Sequence, residues 1–419
     1  MHNVGMRKNR HGFTHILFVL LVVVVIAIVA VGIFVGKKSH SSLSGLLKNS
    51  LGSTAEKAGS QLAGNNCSGS GPVTLSVSPM KAEDISSIIP YGLMVNEHVT
   101  PIDHQYFAPA SYSSPRDSYE VRAPADGHIV SIQHRTSGGG SFYNGRVTDE
   151  YRVVIDYSCT FLSYFDLLTS LTPDIQSKVG AQQNVNVNIP VKAGQVIGKI
   201  GGQTLDFAVW DTTKTLTGFL VPGHYNGEPW KIHTVDPLDY ASPELKAFML
   251  SNNPRKAQPT SGKIDYDVDG KLAGNWFLKG QGGYSGNDQN NHDGWKGQFA
   301  FAPNNYDPSL WEISSGVWGT NAGQFAISPS QPKPDSVGKV NGLVKYELYQ
   351  VQLLADGKLI DGQQTIYGQQ TITAKATSQS VGCMLVQLSA QREMKAEGFP
   401  GQACANLSAF DNNVKIYER

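Results

Sequence analysis

The longest apolar run of the chain lies near its N-terminus. Residues 16–35 read "ILFVLLVVVVIAIVAVGIFV" and contain no charged side chain. At about 1.5 Å per residue, a helix of this length crosses the hydrocarbon core of a membrane. The run therefore predicts a transmembrane helix, which we place at residues 16–36.

Beyond residue 72, apolar and polar positions alternate over short runs that are bounded by Gly and Pro. Examples are "HIVSIQH" at 128–134, "YRVVIDY" at 151–157 and "LVKYELYQVQLL" at 343–354. Alternation with a period of two is typical of half-buried β-strands. Patterns with a helical period are sparse, so the chain is predicted to be mainly β.

Shifts in composition divide the chain into segments. A stretch rich in Ser, Gly and Ala follows the apolar run, and the polar stretch "SNNPRKAQPTSG" separates two β-patterned regions. Such compositions are typical of tethers and linkers. The predicted order is a cytoplasmic segment at 1–15, a signal anchor at 16–36, a Ser/Gly-rich linker at 37–72, an antiparallel β domain at 73–250, a linker at 251–262, and a second all-β domain, a barrel or a sandwich, at 263–419.

The charge of the chain and its distribution bear on its partners and on its orientation in a membrane. The 34 Lys and Arg residues balance the 34 Asp and Glu residues, so no net field attracts nucleic acid. Three basic residues precede the apolar run and two follow it, which gives a slight positive-inside bias. We expect a single-pass protein of the cell membrane with the bulk of the chain outside the cytoplasm, and no nucleic-acid partner.

The chain has four cysteines, and none of them forms a Cys-x-x-Cys pair. This spacing excludes zinc ribbons and thioredoxin-like redox motifs. An even number of cysteines outside the cytoplasm predicts two disulfides. Three pairings are open, and the chain positions favour Cys383 with Cys404 and Cys67 with Cys159.

The N-terminal stretch "RHGFTHILFVLL" resembles a type IV prepilin leader. In that family a peptidase cuts after a Gly that precedes Phe-Thr, and Gly12 and Phe13 match this pattern. The family's Glu at the fifth position of the mature chain is replaced by Leu17. An ordinary anchor is therefore favoured, and a pilin-like or adhesive surface subunit stays an alternative.

Several motifs of the first β domain follow one another in an order that is typical of a known family. They are "NEHVTPIDHQYFAP" at 96–109, "VVIDYSCTFLSYFDLL" at 153–168, "GQTLDFAVWD" at 202–211 and "VDPLDYA" at 235–241. Together they resemble the lysostaphin/LytM-type zinc endopeptidases, which cut peptidoglycan, over about residues 90–240. The resemblance implies a LytM-like antiparallel β domain with a groove for an extended peptide. A biotinyl or lipoyl carrier domain is disfavoured, because the hairpin lysine of such domains is absent.

The resemblance also implies a zinc site, but most of its histidines are replaced. The family holds Zn²⁺ with two His and one Asp, and further His residues handle protons. Asp103 matches the Asp ligand, and Asp206 stands at one His ligand position. The proton-handling positions hold Tyr157, Asp166 and Thr204. We therefore expect a role in binding, scaffolding or regulation at the cell wall rather than zinc peptidase activity.

A changed metal site remains an alternative. The first His ligand position is Val99, and His98 lies one residue out of register. Asp103 and Asp206, with His98 or His104, form a candidate site for a divalent cation. A metal-dependent cell-wall hydrolase with this rearranged Asp/His site is the enzyme alternative. No other cofactor is expected, and the expected partners are the membrane and peptidoglycan or a cell-envelope protein.

Four aromatic residues lie near the expected groove. Tyr106, Phe107, Tyr164 and Trp210 belong to the motifs above, and each is suited either to a groove wall or to the core. The core is favoured, because β domains bury most of their aromatic side chains.

The C-terminal domain carries two weak motifs. "GNWF" at 274–277 is similar to the Gly-x-Trp of lipocalin first strands, so a lipocalin-like barrel that carries a ligand is an alternative. Asp265, Asp267, Asp269 and Gly270 match the first half of a calcium loop. Trp276 stands where such a loop needs a bidentate Glu, so a hairpin turn is predicted at Asp269 instead.

Overall fold

The computed structural model describes residues 62, 67–137, 148–180, 182–286, 294–361 and 364–419. All of these residues belong to one compact unit. The predicted anchor and leader lie outside the described residues. Within the described residues, no helix is long and apolar enough to cross a membrane.

The first β domain contains eleven of the described strands and two short α-helices. The strands are β1 Ile85–Ile89, β2 Gln105–Pro109, β3 Tyr119–Arg122, β4 Gly127–Ser137, β5 Thr148–Ser158, β6 Phe161–Leu168, β7 Ser170–Leu171, β8 Asn184–Val191, β9 Val196–Ile200, β10 Leu205–Asp211 and β11 Thr234–Val235. The helices are α1 Pro173–Val179 and α2 Pro243–Ser251. Both helices begin with Pro, whose fixed φ and missing N–H suit the first turn.

The main sheet of this domain is antiparallel and has the strand order β1-β2-β10-β6-β5-β4-β8, with β11 beside β10. A small sheet with the order β3-β9-β7 packs against it. The inward positions of the strands form one core; on β10 these are Leu205, Phe207 and Val209. The alternation of the sequence thus places the intervening residues of β10 on the opposite face of the sheet.

The C-terminal domain is a closed antiparallel barrel. Its strands are β12 Gly274–Leu278, β13 Gln298–Pro303, β14 Trp311–Trp318, β15 Asn321–Ile327, β16 Val344–Ala355, β18 Ile372–Ala390, β19 Glu393–Pro400 and β20 Lys415–Glu418, and the short β17 Lys358–Leu359 extends the hairpin at the end of β16. Each barrel strand pairs with the next along the chain, and β20 pairs with β12. Of the predicted barrel or sandwich, the barrel is confirmed.

Large side chains fill the interior of the barrel. The buried cluster includes Trp276, Phe299, Phe301, Phe325, Tyr346, Met384 and Tyr417. One end is closed by Arg419, whose guanidinium carbon lies 3.9 Å from the centroid of the Trp276 ring. Its two terminal nitrogens donate to the carbonyls of Ala273 and Lys271, each at 2.6 Å. A filled interior disfavours the ligand-carrier alternative.

Short 3₁₀ helices connect the strands. They are Ala82–Asp84, Pro222–Tyr225, Lys231–His233, Pro237–Asp239, Gly294–Gly297, Lys339–Asn341 and Cys404–Asn406. One of them, Gly294–Gly297, borders an open groove on one face of the main sheet.

The segment 251–262 packs between the two β domains. Arg255 is 1% exposed and donates to the carbonyls of Pro259, at 2.8 Å, and Asn305, at 2.6 Å. Because Asn305 follows β13, this guanidinium ties the segment to the barrel. The predicted linker is thus a partly buried connection, and the two domains share one compact unit.

The three aspartates of the calcium-like motif each have protein partners. Asp265 pairs with Lys263, Asp267 accepts from the backbone N–H of Asn275, and Asp269 pairs with Arg392. Residues 269 and 270 form a turn in which Gly270 has a φ of 70°. Gly tolerates this left-handed conformation without strain. The structure therefore shows a turn at the predicted position.

Both predicted disulfides are present. Cys67 bonds to Cys159, and Cys383 bonds to Cys404. The first bond fastens the segment before β1 to the turn between β5 and β6. The second bond joins β18 to the loop that follows β19.

Candidate functional site

Three neighbouring strands bring the predicted positions together on one face of the main sheet. Asp206 of β10 lies opposite Tyr106 of β2 on one side and Asp166 of β6 on the other. The adjacent residues Leu205 and Phe207 point into the core. Because side chains alternate along a strand, Asp206 faces away from that core. Two of the replaced histidine positions are therefore direct cross-strand neighbours.

His104 lies between two carboxylates at the start of β2. Its Nδ1 atom is 3.6 Å from Oδ1 of Asp103, and its Nε2 atom is 3.2 Å from Oδ2 of Asp206. Burial opposes the charged imidazolium, but the carboxylates of Asp206 and Asp103 outweigh it and raise the pKa of His104 to about 9. At neutral pH, His104 is therefore a cation.

A buried lysine supplies a second cation. Lys231 is 1% exposed, and its Nζ atom lies 3.4 Å from Oδ1 of Asp103. The same ammonium lies 4.6 Å from the centroid of the Tyr284 ring, within the range of a cation–π contact. Burial would raise the pKa of Asp103, but Lys231 and His104 hold it well below its usual range. Asp103 is therefore ionised and compensated by two side-chain cations.

The negative charge of Asp166 is compensated by two arginines. Arg135 donates from Nη1 to Oδ2 at 2.8 Å, and Arg152 donates from Nε to the same oxygen at 2.9 Å. The hydroxyl of Tyr164 also donates to Oδ2, at 2.9 Å. Burial would raise the pKa of Asp166, but the two guanidiniums hold it below its usual range. This carboxylate is thus the centre of a charged cluster on the sheet face.

The other predicted site residues lie apart from these contacts. His98 is exposed at the rim, with its ring centroid 6.4 Å from that of His104. Thr204 precedes β10 and is half-buried, and the hydroxyl of Tyr157 lies 2.6 Å from that of Ser163. Val99 is fully buried. Within the part of the chain that the structure describes, no group of three or more His, Cys, Asp or Glu residues is arranged to hold a metal ion.

The four candidate aromatic residues divide between the groove and the core. Tyr106 and Tyr164 contribute to the groove lining. Phe107 is completely buried in the core. Trp210 is also buried and stacks between Tyr164 and Trp230, with a centroid distance of 5.6 Å to each.

The charged face forms the floor of an open groove of about 690 Å³. Its walls come from both β domains. The first domain contributes Tyr106 and Glu228, and the barrel contributes Tyr284, Trp295 and Gln298. The long connection between β12 and β13 carries the first two barrel residues. The groove is therefore a composite of the two domains, which the sequence did not predict.

Sequence reasoning missed the cations of this site. Arg152 occupies one outward position of the apolar run "YRVVIDY", and a lone charge in such a run is a usable signal. Lys231 and Tyr284 lie in non-repetitive segments that the chain brings to the site from far away in sequence. No periodic pattern marks them, so the sequence alone gives no signal for their position.

The chain matches no family model and no curated protein sequence. Among solved structures it is similar to Helicobacter pylori Csd3, at 18% identity over 34% of this chain and 31% of that chain, with a TM-score of 0.21. It is also similar to a putative M23 peptidase from Pseudomonas aeruginosa, at 16% identity over 42% of this chain and 59% of that chain, with a TM-score of 0.20. Lysostaphin is similar at 12% identity over 76% of this chain and 80% of that chain, with a TM-score of 0.22. The chain spans less than two thirds of the first two structures, and all three likenesses are remote.

Proposed function

We propose that residues 73–250 form a peptidase-like binding module without peptidase activity, which together with the barrel holds an extended peptide of the cell wall in the composite groove. The observation that carries this proposal is that the carboxylates of Asp103, Asp166 and Asp206 each face a cation of the chain itself. Asp103 faces Lys231 and His104, Asp206 faces His104, and Asp166 faces two arginines. The groove itself stays open.

The donor set does not fit a catalytic zinc ion. Zinc in such sites is held by neutral imidazole and carboxylate, and one position stays open for water. Both ring nitrogens of His104 face carboxylates, and the raised pKa of His104 favours the protonated form, which has no lone pair for a metal. The ammonium of Lys231 beside Asp103 adds a repulsive charge. Metal binding by Asp103, Asp206, His98 or His104 stays a prediction.

The groove has the properties of a peptide-binding site. It combines the aromatic walls of Tyr106, Tyr164 and Trp295 with polar groups on the floor. Aromatic side chains contribute contact area, and a few fixed polar groups orient the bound chain. Within this proposal, the anchor at residues 16–36 holds the module at the cell surface, where peptidoglycan is the available partner.

The test is co-sedimentation of the full chain, purified in detergent, with insoluble peptidoglycan. We expect saturable binding and no release of soluble fragments, with or without added Zn²⁺. Trp295→Ala removes a groove wall and should weaken binding about tenfold, equivalent to about 1.4 kcal/mol. The control Tyr367→Ala removes an aromatic ring that is 52% exposed, and it should bind as the unchanged chain does.

Two results would contradict the proposal. Absence of sedimentation with peptidoglycan would remove the binding role. Zinc-dependent release of soluble fragments would replace it with the metal-dependent hydrolase.

A further inference from the structure

One carboxylate oxygen on the groove floor has no hydrogen-bond partner. The Asp206 side chain is 9% exposed, and its Oδ2 atom faces His104 at 3.2 Å. Its Oδ1 atom accepts no hydrogen bond from any residue that the structure describes. A buried carboxylate oxygen without a donor is costly. The groove floor therefore offers a strong acceptor to a bound molecule.

A second carboxylate lines the same groove. Glu228 is half-buried and stands in the turn that leads to Lys231, whose backbone N–H donates to the Glu228 carbonyl at 3.1 Å. Among the described residues, the ion pairs of the site include none at the Glu228 carboxylate. The groove thus presents two acidic groups to a ligand.

The cations that border this part of the groove make their ion pairs with other carboxylates, although Lys231, Arg152 and His104 also lower the pKa of Glu228. Lys231 pairs with Asp103, and Arg152 pairs with Asp166. The imidazole of His104 reaches only the Oδ2 side of Asp206. Burial nevertheless raises the pKa of Asp206, and burial and Asp103 raise the pKa of Glu228 to about 7, so neither carboxylate is fully compensated. A cationic donor from outside the chain would favour their ionised forms.

We propose that the groove binds a primary ammonium group of its ligand between Asp206 and Glu228. An ammonium has three N–H donors, which allows it to bond Asp206 Oδ1 and Glu228 together. The rings of Tyr106 and Trp295 line the same groove and suit the alkyl stem that carries such a group. This inference rests on the proposed function and deepens it, because it names the ligand as a peptide with a free amino group.

A divalent cation is a poorer occupant of this position. Ca²⁺ and Mg²⁺ require six or more oxygen ligands. The groove supplies few carboxylate oxygens there, and the charges of His104 and Lys231 lie close by. An ammonium carries a single charge and needs fewer acceptors, so it matches this part of the groove better.

The experiment compares two forms of one probe. The full chain is sedimented with peptidoglycan in its native form and after acetylation of its free amino groups, which removes their charge. We expect acetylation to weaken binding at least tenfold, a loss of about 1.4 kcal/mol. Asp206→Asn and Glu228→Gln should each weaken binding to native peptidoglycan and leave the weaker binding to the acetylated form unchanged. Glu244→Gln, which alters an exposed carboxylate on α2, is the matched control and should bind both forms as the unchanged chain does.

The outcomes separate this inference from the proposed function. Equal binding to the native and acetylated forms would overturn the ammonium site and leave the binding module standing. Absence of binding to either form would overturn both. Far-UV circular dichroism and the melting temperature of each variant establish that it is folded, and the two carboxylate variants test the site independently of each other.

Discussion

Replacement of Asp166 by alanine is expected to lower the free energy of unfolding by about 3 kcal/mol, near the lower end of the range for breaking a buried ion pair. The substitution removes the carboxylate that Arg135 and Arg152 share, and with it the acceptor of the Tyr164 hydroxyl. Asp166 has a side chain that is only 3% exposed, whereas the two arginines are 24% and 30% exposed. Water can therefore solvate part of the two guanidinium charges after the carboxylate is removed. For this reason we expect a loss of stability near the lower end of the range for buried ion pairs.

Urea denaturation of the full chain measures this change. The matched control is Asp126→Ala, which removes a surface pair with Lys192 whose side chains are 60% and 78% exposed. Exposed pairs contribute little to stability, because water and salt screen them, so the control should change little. A loss for Asp166→Ala no larger than that of the control would show that the charged cluster does not stabilise the sheet.

Stability is also expected to fall between about pH 6.5 and pH 9, because His104 has a raised pKa in the folded chain. An unfolded histidine titrates near 6.5, whereas the pKa of folded His104 is raised to about 9. Between these values the folded state binds the additional proton, so its stabilisation is complete below about pH 6.5 and is lost as the pH rises through about 9. The difference corresponds to at most about 3 kcal/mol.

The free energy of unfolding from urea titrations at several pH values tests this expectation. His104→Gln removes the titrating group and should flatten the decline over this range. His128→Gln alters a histidine with a side chain that is 44% exposed, and it should leave the decline in place. An unchanged slope in His104→Gln would mean that His104 is not the cation between Asp103 and Asp206.

Much of the site floor was predictable from the sequence because it lies on strands. In "LDFAVWD" the alternation separates the inward Leu205 and Phe207 from the outward Asp206, and the motif order put Asp166 on a companion strand. Period-two alternation carries this information in any half-buried sheet. Alternation does not fix which strands pair or in which register, so the cross-strand pairing of Asp206 with Asp166 was not predictable from it.

The compensating charges were not predictable in the same way. Lys231 lies in a 3₁₀ helix, and Tyr284 lies in the long connection between β12 and β13, where no period fixes the side-chain direction. Their positions depend on how the barrel packs against the first domain. His104 was considered only as a metal ligand, because the sequence does not show that carboxylates flank both of its ring nitrogens.

In the fold as well, the features with a periodic sequence pattern were predictable, and those that depend on the packing of the two domains were not. Alternating runs predicted the β content and the position of the second domain, and the barrel follows from the sequential pairing of its strands. The segment 251–262 was predicted to be a linker because of its Pro and polar residues. Burial of Arg255 there depends on carbonyl acceptors that become available only when the two domains meet.

The metal content of the full chain tests the central claim most directly, namely that side-chain cations rather than a metal ion face the carboxylates of Asp103, Asp166 and Asp206. The protein is incubated with excess Zn²⁺ and desalted. Inductively coupled plasma mass spectrometry then measures the number of zinc ions per chain. We expect no more zinc than in the Asp103→Asn, Asp206→Asn double variant, because Lys231 and protonated His104 occupy the charge-compensating positions. One zinc ion per unchanged chain, lost in the double variant, would contradict the account and favour the metal-dependent hydrolase.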